Sequence, residues 1–187
     1  EAYNKGYTLA DATRFLVNEL FGKYGLVILD GDSTDLKKEF SPYVQDELLH
    51  QKSNKAVLNT IQQLKDYSIQ VNPREINLFY MKDNLRERII LENETYKINN
   101  TNIRFSKTEI LSELENQPEN FSPNVIMRPL YQEVILPNLC YIGGGGEIAY
   151  WLELKSFFAV AKVTFPILLV RNSVLLTTEK QSKKADK

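Results

Sequence analysis

The order of its apolar segments predicts an α/β fold for this chain, with a mainly parallel sheet, flanking helices and a small β-rich insertion. Three observations predict it. Helix-patterned and strand-patterned segments alternate through residues 1–81, which favours parallel strands. Residues 82–121 change to short β-prone runs separated by asparagine-rich turns, the pattern of an antiparallel meander. Residues 122–187 then give a strand, four glycines, an amphipathic helix and a further strand. The chain is expected to divide into a first part of the core (1–81), a connective β-rich insertion (82–121) and a second part of the core (122–187).

Leu9 to Tyr24 places Leu9, Ala12, Leu16 and Leu20 near helical spacing, and Gly22 or Gly25 can end that helix. "LVILD", Leu26 to Asp30, is a short continuous apolar run that predicts a strand buried on both faces. Gly31-Asp32-Ser33 supplies a turn, with Asp32, Ser33 or Thr34 as cap for the next helix. That helix is expected to restart at Ser41-Pro42, because proline suits the first helical turn. It should run to about Tyr67 with Leu48, Val57, Leu58, Ile61 and Leu64 as its buried stripe. A second strand is expected between Ile69 and Met81, broken around Asn72-Pro73. In the insertion, "RERIILEN", "YKIN" and "NIRFS" read as strands, and Lys107 to Asn116 as a short helix. "VIMRPLYQEVILPNLCYI" leads to the glycines, "EIAYWLELKSFFAVA" is an amphipathic helix, and "PILLV" and "SVLLT" give one or two strands.

Composition narrows the function. The chain has 187 residues, 43% of them hydrophobic, enough for one substantial core. A net charge of -1 offers no broad nucleic-acid footprint. The single cysteine, Cys140, excludes an internal disulfide framework and suits a reducing, cytoplasmic setting. The apolar run from Phe157 to Val170 is interrupted by Lys162 and Pro166 and is too short to span a bilayer; no signal peptide is visible. The chain does not begin with methionine and ends in "EKQSKKADK", so it is expected to be a piece of a longer protein.

The chemistry-bearing stretch is "CYIGGGGEIAYWLELK", Cys140 to Lys155. Four consecutive glycines carry a large entropy cost and need a reason. Placed between strand and helix, Gly143, Gly144, Gly145 and Gly146 can present unpaired N–H groups to an anion. They match neither the phosphate loop, which needs Gly-Lys-Ser/Thr, nor Gly-x-Gly-x-x-Gly. Glu147 in the first turn suits the helix dipole but repels an adjacent phosphate. Ligand cradle and tight structural turn are both open on local sequence.

Arg128, with Gln132 and Glu133 a turn on, can grip a carboxylate or phosphate, or pair with Glu133. Asp30 and Asp32 follow an expected strand, where open α/β sheets bind ligands, or they merely cap a loop. His50 reads as a solvated helix residue, and Cys140 as a buried inert thiol with no histidine near it in sequence. Of Tyr150 and Trp151, packing explains at least one, and stacking on a sugar or base could use the other.

Three segments together resemble one family, the bacillithiol biosynthesis cysteine-adding enzymes, BshC. They are "NVIMRPLYQEVILPNLCYIGGGGEIAYWLELK" (124–155), "QVNPREINLFYMKDNLRERI" (70–89) and "FPILLVRNSVLL" (165–176). Many members read Gly-Gly-Pro-Gly-Glu where this chain has four glycines before Glu147, a departure at Gly145. The resemblance implies a Rossmann-like core, and a C-terminal coiled coil that forms homodimers and lies outside this chain. The family's N-terminal threonine-glycine-glutamine-type motif is also absent here. It implies a ligase adding L-cysteine to the amino group of glucosaminyl malate, with ATP or ADP as the nucleotide; the 187 residues alone should be inactive. Arg128 and Glu147 are then the candidate catalytic residues. Gly143 to Gly146, Asp30, Asp32, Gln132 and Tyr150 are the candidate substrate- or nucleotide-binding residues. No metal site, nucleic acid or membrane is expected. The alternative is a non-catalytic nucleotide- or metabolite-binding α/β module.

Overall fold

A computed structural model describes residues 2–185. Helix α1 (Leu9–Phe21) begins on a local signal: the Thr8 hydroxyl accepts from the Asp11 N–H, and the Asp11 carboxylate accepts from the Thr8 N–H. A short turn ends it at Gly25, whose φ of 80° suits glycine. Residues 26–30 form no strand, and Val27 is 69% exposed. The two-face burial expected of "LVILD" fails because no described strand pairs with it.

Helix α2 (Thr34–His50) starts at Ser33 and runs straight through Pro42, rather than restarting there. An interior proline costs about 3 kcal/mol. Phe40, Val44 and Leu48 lie on either side of it at helical spacing and are all buried. Each side chain so buried contributes roughly 1.5–3 kcal/mol, so their common face outweighs the lost bond. Gln51 in left-handed backbone (φ 46°) breaks the long helix that was expected, and α3 (Lys52–Gln63) follows.

Five strands build the main sheet: β1 (Leu78–Lys82), β2 (Leu85–Glu92), β3 (Thr95–Ile98), β4 (Arg104–Phe105) and β5 (Phe121–Pro123). Their order is β4-β3-β2-β1-β5, and every pairing is antiparallel. This corrects the expectation of a mainly parallel sheet. Asp83 and Asn93-Glu94 take positive φ in tight turns, and a tight turn can only return the chain antiparallel. The boundary drawn at residue 82 falls in the β1–β2 hairpin, so the meander shares one sheet with β1 and β5. One face of that sheet buries Tyr80, Ile89, Tyr96, Ile98 and Phe121 towards α2 and α4 (Lys107–Asn116). Helix α4 begins on a Ser106–Glu109 capping box.

Among the described residues the parallel element is a single pair, β6 (Cys140–Gly143) and β7 (Ile167–Val170), with Gly143 opposite Val170. It alone has the helical crossover that parallel strands need: α6 (Gly145–Glu153) and α7 (Lys155–Ala161), which Leu154 divides. "SVLLT" forms no strand. Helix α5 (Arg128–Ile135) precedes β6, and α8 (Glu179–Ala185) closes the described chain.

A buried carboxylate ties these layers together. Glu47, 1% exposed, accepts from Ser53 N–H at 3.0 Å, Ser53 Oγ at 2.5 Å and Asn77 N–H at 3.0 Å. Asn124 Nδ2 donates to Asn77 Oδ1 at 2.9 Å, which links the approach to α5 to the same network. Thr60 on α3 donates to Ser156 on α7 at 2.7 Å, and Trp151 is fully buried between Tyr141, Phe158 and Phe165.

Candidate functional site

The carboxyl ends of β6 and β7 lie side by side, the edge at which open α/β sheets place their ligands. Arg171, the residue after β7, extends the pairing: its N–H donates to the Gly143 carbonyl at 2.8 Å. Gly144 (φ -71°, ψ 166°) is extended and caps α6, whose first residue is Gly145.

None of Gly143 to Gly146 takes positive φ, so their smallness must be explained by space. A Cβ on Gly143 would lie 2.7 Å from the Tyr141 ring and 3.2 Å from Glu147 Cβ. On Gly144 it would lie 3.2 Å from the Arg171 guanidinium and 3.3 Å from Glu147 Oε2. On Gly145 and Gly146 it would meet nothing within 4 Å. The first two glycines are therefore packed and the last two are open. That opening faces a helix start, where backbone N–H groups lack intrahelical partners.

Glu147 folds back across this start. Its Oε2 accepts from the Gly144 N–H at 2.6 Å, the carboxylate half of a capping box that glycine cannot complete. The same oxygen lies 3.9 Å from Arg171 Nη1. Arg171 is thus the cation beside the glycines. Sequence reasoning missed it because its place depends on the β6–β7 register; the available signal was an arginine directly after a strand in "PILLVR".

Arg128 is joined to the glycines by no hydrogen bond or ion pair among the described residues. It is exposed at the start of α5, with Nη1 3.2 Å from Gln132 Oε1. It does not pair with Glu133, which is buried and accepts from Asn138 N–H and Nδ2, each at 3.0 Å, and from Gln132 Nε2 at 3.2 Å. Tyr150, one turn beyond Glu147 on α6, donates to the Val125 carbonyl. Burial drives its hydroxyl pKa upward, and the positive charge of Arg128 opposes that rise, which puts the two side chains within electrostatic reach. Gln132 bridges Arg128 and Glu133.

Asp30 and Asp32 form a loop of their own. The Asp32 N–H donates to Asp30 Oδ1 at 3.0 Å, and Asp32 Oδ1 sits 2.9 Å from the buried Lys37 ammonium. Tyr131 donates to the Gly31 carbonyl at 2.9 Å. Burial first, then Asp32 and Asp30, push its hydroxyl pKa up to about 12. Among the described residues no hydrogen bond or ion pair joins this loop to the glycines. Two clefts of about 520 and 350 Å³ open between α1 and residues 28–31, and neither reaches the glycine loop. His50 is exposed at the end of α2, and Cys140 is a half-buried free thiol at the start of β6. Among the described residues, no group of three or more His, Cys, Asp or Glu could hold a metal, and no helix is long and apolar enough to cross a membrane.

A parallel strand pair, a glycine turn into a helix start and a crossover of helices form one local unit of the kind from which Rossmann-like α/β domains are built. The chain belongs to the BshC family: residues 1–172 match the family model for "Bacillithiol biosynthesis BshC, N-terminal Rossmann-like domain". It is 71% identical over 186 residues to a Flavobacterium johnsoniae protein and 70% identical over 187 residues to one from Flavobacterium psychrophilum. Each match covers 100% of this chain and 35% of the relative. A Christiangramia forsetii protein is 58% identical over 191 residues, covering 99% of this chain and 36% of its own length. All three bear the name "Putative cysteine ligase BshC". The chain therefore spans about a third of the length of these relatives.

Proposed function

We propose that the complete protein joins the carboxyl group of L-cysteine to the amino group of glucosaminyl malate, the last step of bacillithiol biosynthesis. The observation that carries this reading is the match, along the whole chain, to relatives named as cysteine ligases. The local chemistry supports it. Amide formation needs an activated carboxyl, a deprotonated amine and donors for the oxygen that gathers charge. The open helix start at Gly145-Gly146, where Arg171 offsets the charge of Glu147, suits the single charge of a substrate carboxylate. Glu147 offers a carboxylate to the amine at the same place. Arg128, held by Gln132 and near Tyr150, supplies a second cation along α6. Asp30 and Asp32 take a peripheral part, through their own loop.

ATP, with ADP as product, belongs to the proposal as the source of carboxyl activation. The glycine loop does not fit the several charges of its phosphates, because Glu147 covers the Gly144 N–H and Arg171 offsets only the charge of Glu147 itself. The proposed enzyme is cytoplasmic and homodimeric, with its dimer contacts in the coiled coil outside this chain.

The test is product formation by the complete protein from L-cysteine and glucosaminyl malate, with and without ATP, followed by mass spectrometry. Bacillithiol formed only when both substrates are present is the expected result. A folded protein that binds a substrate without turnover would leave the non-catalytic module. Arg171→Ala should lower kcat/KM by roughly tenfold to a hundredfold, the loss of about 2 kcal/mol of charge-assisted contact. Loss confined to Arg128→Ala would move the anion site from the glycines to α5.

A further inference from the structure

The face of the five-stranded sheet opposite α2 and α4 carries a charge pattern that the glycine site does not use. Strand alternation and register place Arg86 and Arg88 of β2, Lys97 of β3 and Arg104 of β4 on this face. Phe79 and Ile90 lie between them, each half-buried. The three arginines are exposed. The Arg86 guanidinium lies over the Phe79 ring at 3.8 Å, a stacking that holds it flat on the sheet. Lys97 is spoken for by Glu92, the carboxylate of its own hairpin. Among the described residues the side chains of Arg86 and Arg88 have neither a carboxylate partner nor a hydrogen bond, whereas Arg104 turns its Nη1 back to the Thr101 and Ile103 carbonyls at 3.0 and 2.9 Å. In a chain of net charge -1, that concentration of cations is local.

We propose that this sheet face docks an extended acidic segment of a separate partner protein. Three properties of the face select that occupant. Both free cations, Arg86 and Arg88, are arginines, whose planar forks match carboxylates in pairs of hydrogen bonds. Arg86 and Arg88 are two residues apart on one strand, a spacing of roughly 6.6 Å, which equals that of alternate side chains on an extended peptide. Ile90 gives such a peptide apolar contact beside its acidic positions, while Phe79 backs the Arg86 guanidinium. Nucleic acid and membrane fit less well. Two free cations fall short of the six to ten phosphate contacts, on the order of magnitude, with which proteins hold nucleic acid by charge. They also fall short of the clusters of roughly four to eight basic residues that hold acidic membranes.

The proposal is independent of the ligase reading, because none of these residues touches the glycine loop. Its test uses a fluorescent peptide of alternating glutamate and valine, titrated by anisotropy into the 187-residue chain and into the complete protein. Binding by both is expected, weakened at least tenfold in Arg86→Glu/Arg88→Glu, and unchanged in Lys23→Glu/Lys55→Glu, an equal charge change on other surfaces. Circular dichroism verifies that both variants are folded. Loss in the two variants alike would reduce the effect to net charge and overturn the proposal. Binding by the short chain and not by the complete protein would also overturn it, since the face would then be covered by the protein's own remaining chain. Tighter binding of an oligothymidine or of phosphatidylglycerol vesicles than of the peptide would reject the acidic-segment assignment.

Discussion

The four glycines divide into a packed pair and an open pair, and substitution should separate them by sign. Gly145 is the first residue of α6, its N–H donates no bond among the described residues, and a Cβ there meets nothing within 4 Å. Gly144 before it has φ -71° and ψ 166°, the extended backbone that a following proline demands. Gly145→Pro therefore fits the folded state and removes freedom from the unfolded chain, a gain of about 0.4–1 kcal/mol. For a chain of this size that is a rise of roughly 1–4 °C in Tm. Gly143→Ala acts in the opposite direction. Its new methyl would meet the Tyr141 ring at 2.7 Å, and that ring is stacked on buried Trp151 at 4.3 Å, so it cannot swing away cheaply. Overpacking of this kind costs about 1–3 kcal/mol. Urea titrations of the two variants, with unchanged m-values, provide the measurement. Destabilisation by Gly145→Pro, or neutrality of Gly143→Ala, would refute the division into packed and open halves.

Two further outcomes concern the core. Glu47→Leu should cost about 3–5 kcal/mol in the same assay, because it strips the acceptor from three buried donors on Ser53 and Asn77; a loss below about 1 kcal/mol would show the network to be dispensable. Alkaline titration should destabilise the fold. An unfolded tyrosine ionises near a pKa of about 10, whereas Tyr131 holds its proton to about 12, so this contribution is complete below pH 10 and is lost as pH rises through 12. Tyr80, Tyr96 and Tyr150 shift in the same direction, all by burial first. Urea midpoints that stay flat from pH 9 to 12 would contradict the burial of these hydroxyls.

What could be read in advance was what the chain decides locally. Helix α4 has the bounds the sequence predicted, Lys107 to Asn116, because Ser106 and Glu109 write its start within four residues. Helix α1 is legible for the same reason at Thr8 and Asp11. The glycine turn from strand to helix was legible because strand, turn and helix are consecutive. Sheet sense was not, since it depends on which strands meet. The hairpin turn at Asp83 was the overlooked clue, because it returns β1 antiparallel into the meander that the asparagine-rich turns had already marked as antiparallel. Pro42 misled for a related reason: a local rule placed it at a helix start, while Phe40, Val44 and Leu48 gave the helix a buried face across it.

Arg171 shows the same limit at the site. It stands 27 residues from Gly144 in sequence, yet the β6–β7 register sets its guanidinium 3.2 Å from where a Gly144 side chain would begin. Arg128 looked nearer because it shares a segment with the glycines, but α5 carries it towards Gln132 and Tyr150 instead. The packing also gives the glycine at 144 a purpose that backbone conformation does not: any side chain there would press on the Glu147–Arg171 pair, which spans both strand ends. A substitution such as Gly144→Val therefore acts on the charged pair before it acts on a ligand, and its effect on binding should follow that of Arg171→Ala.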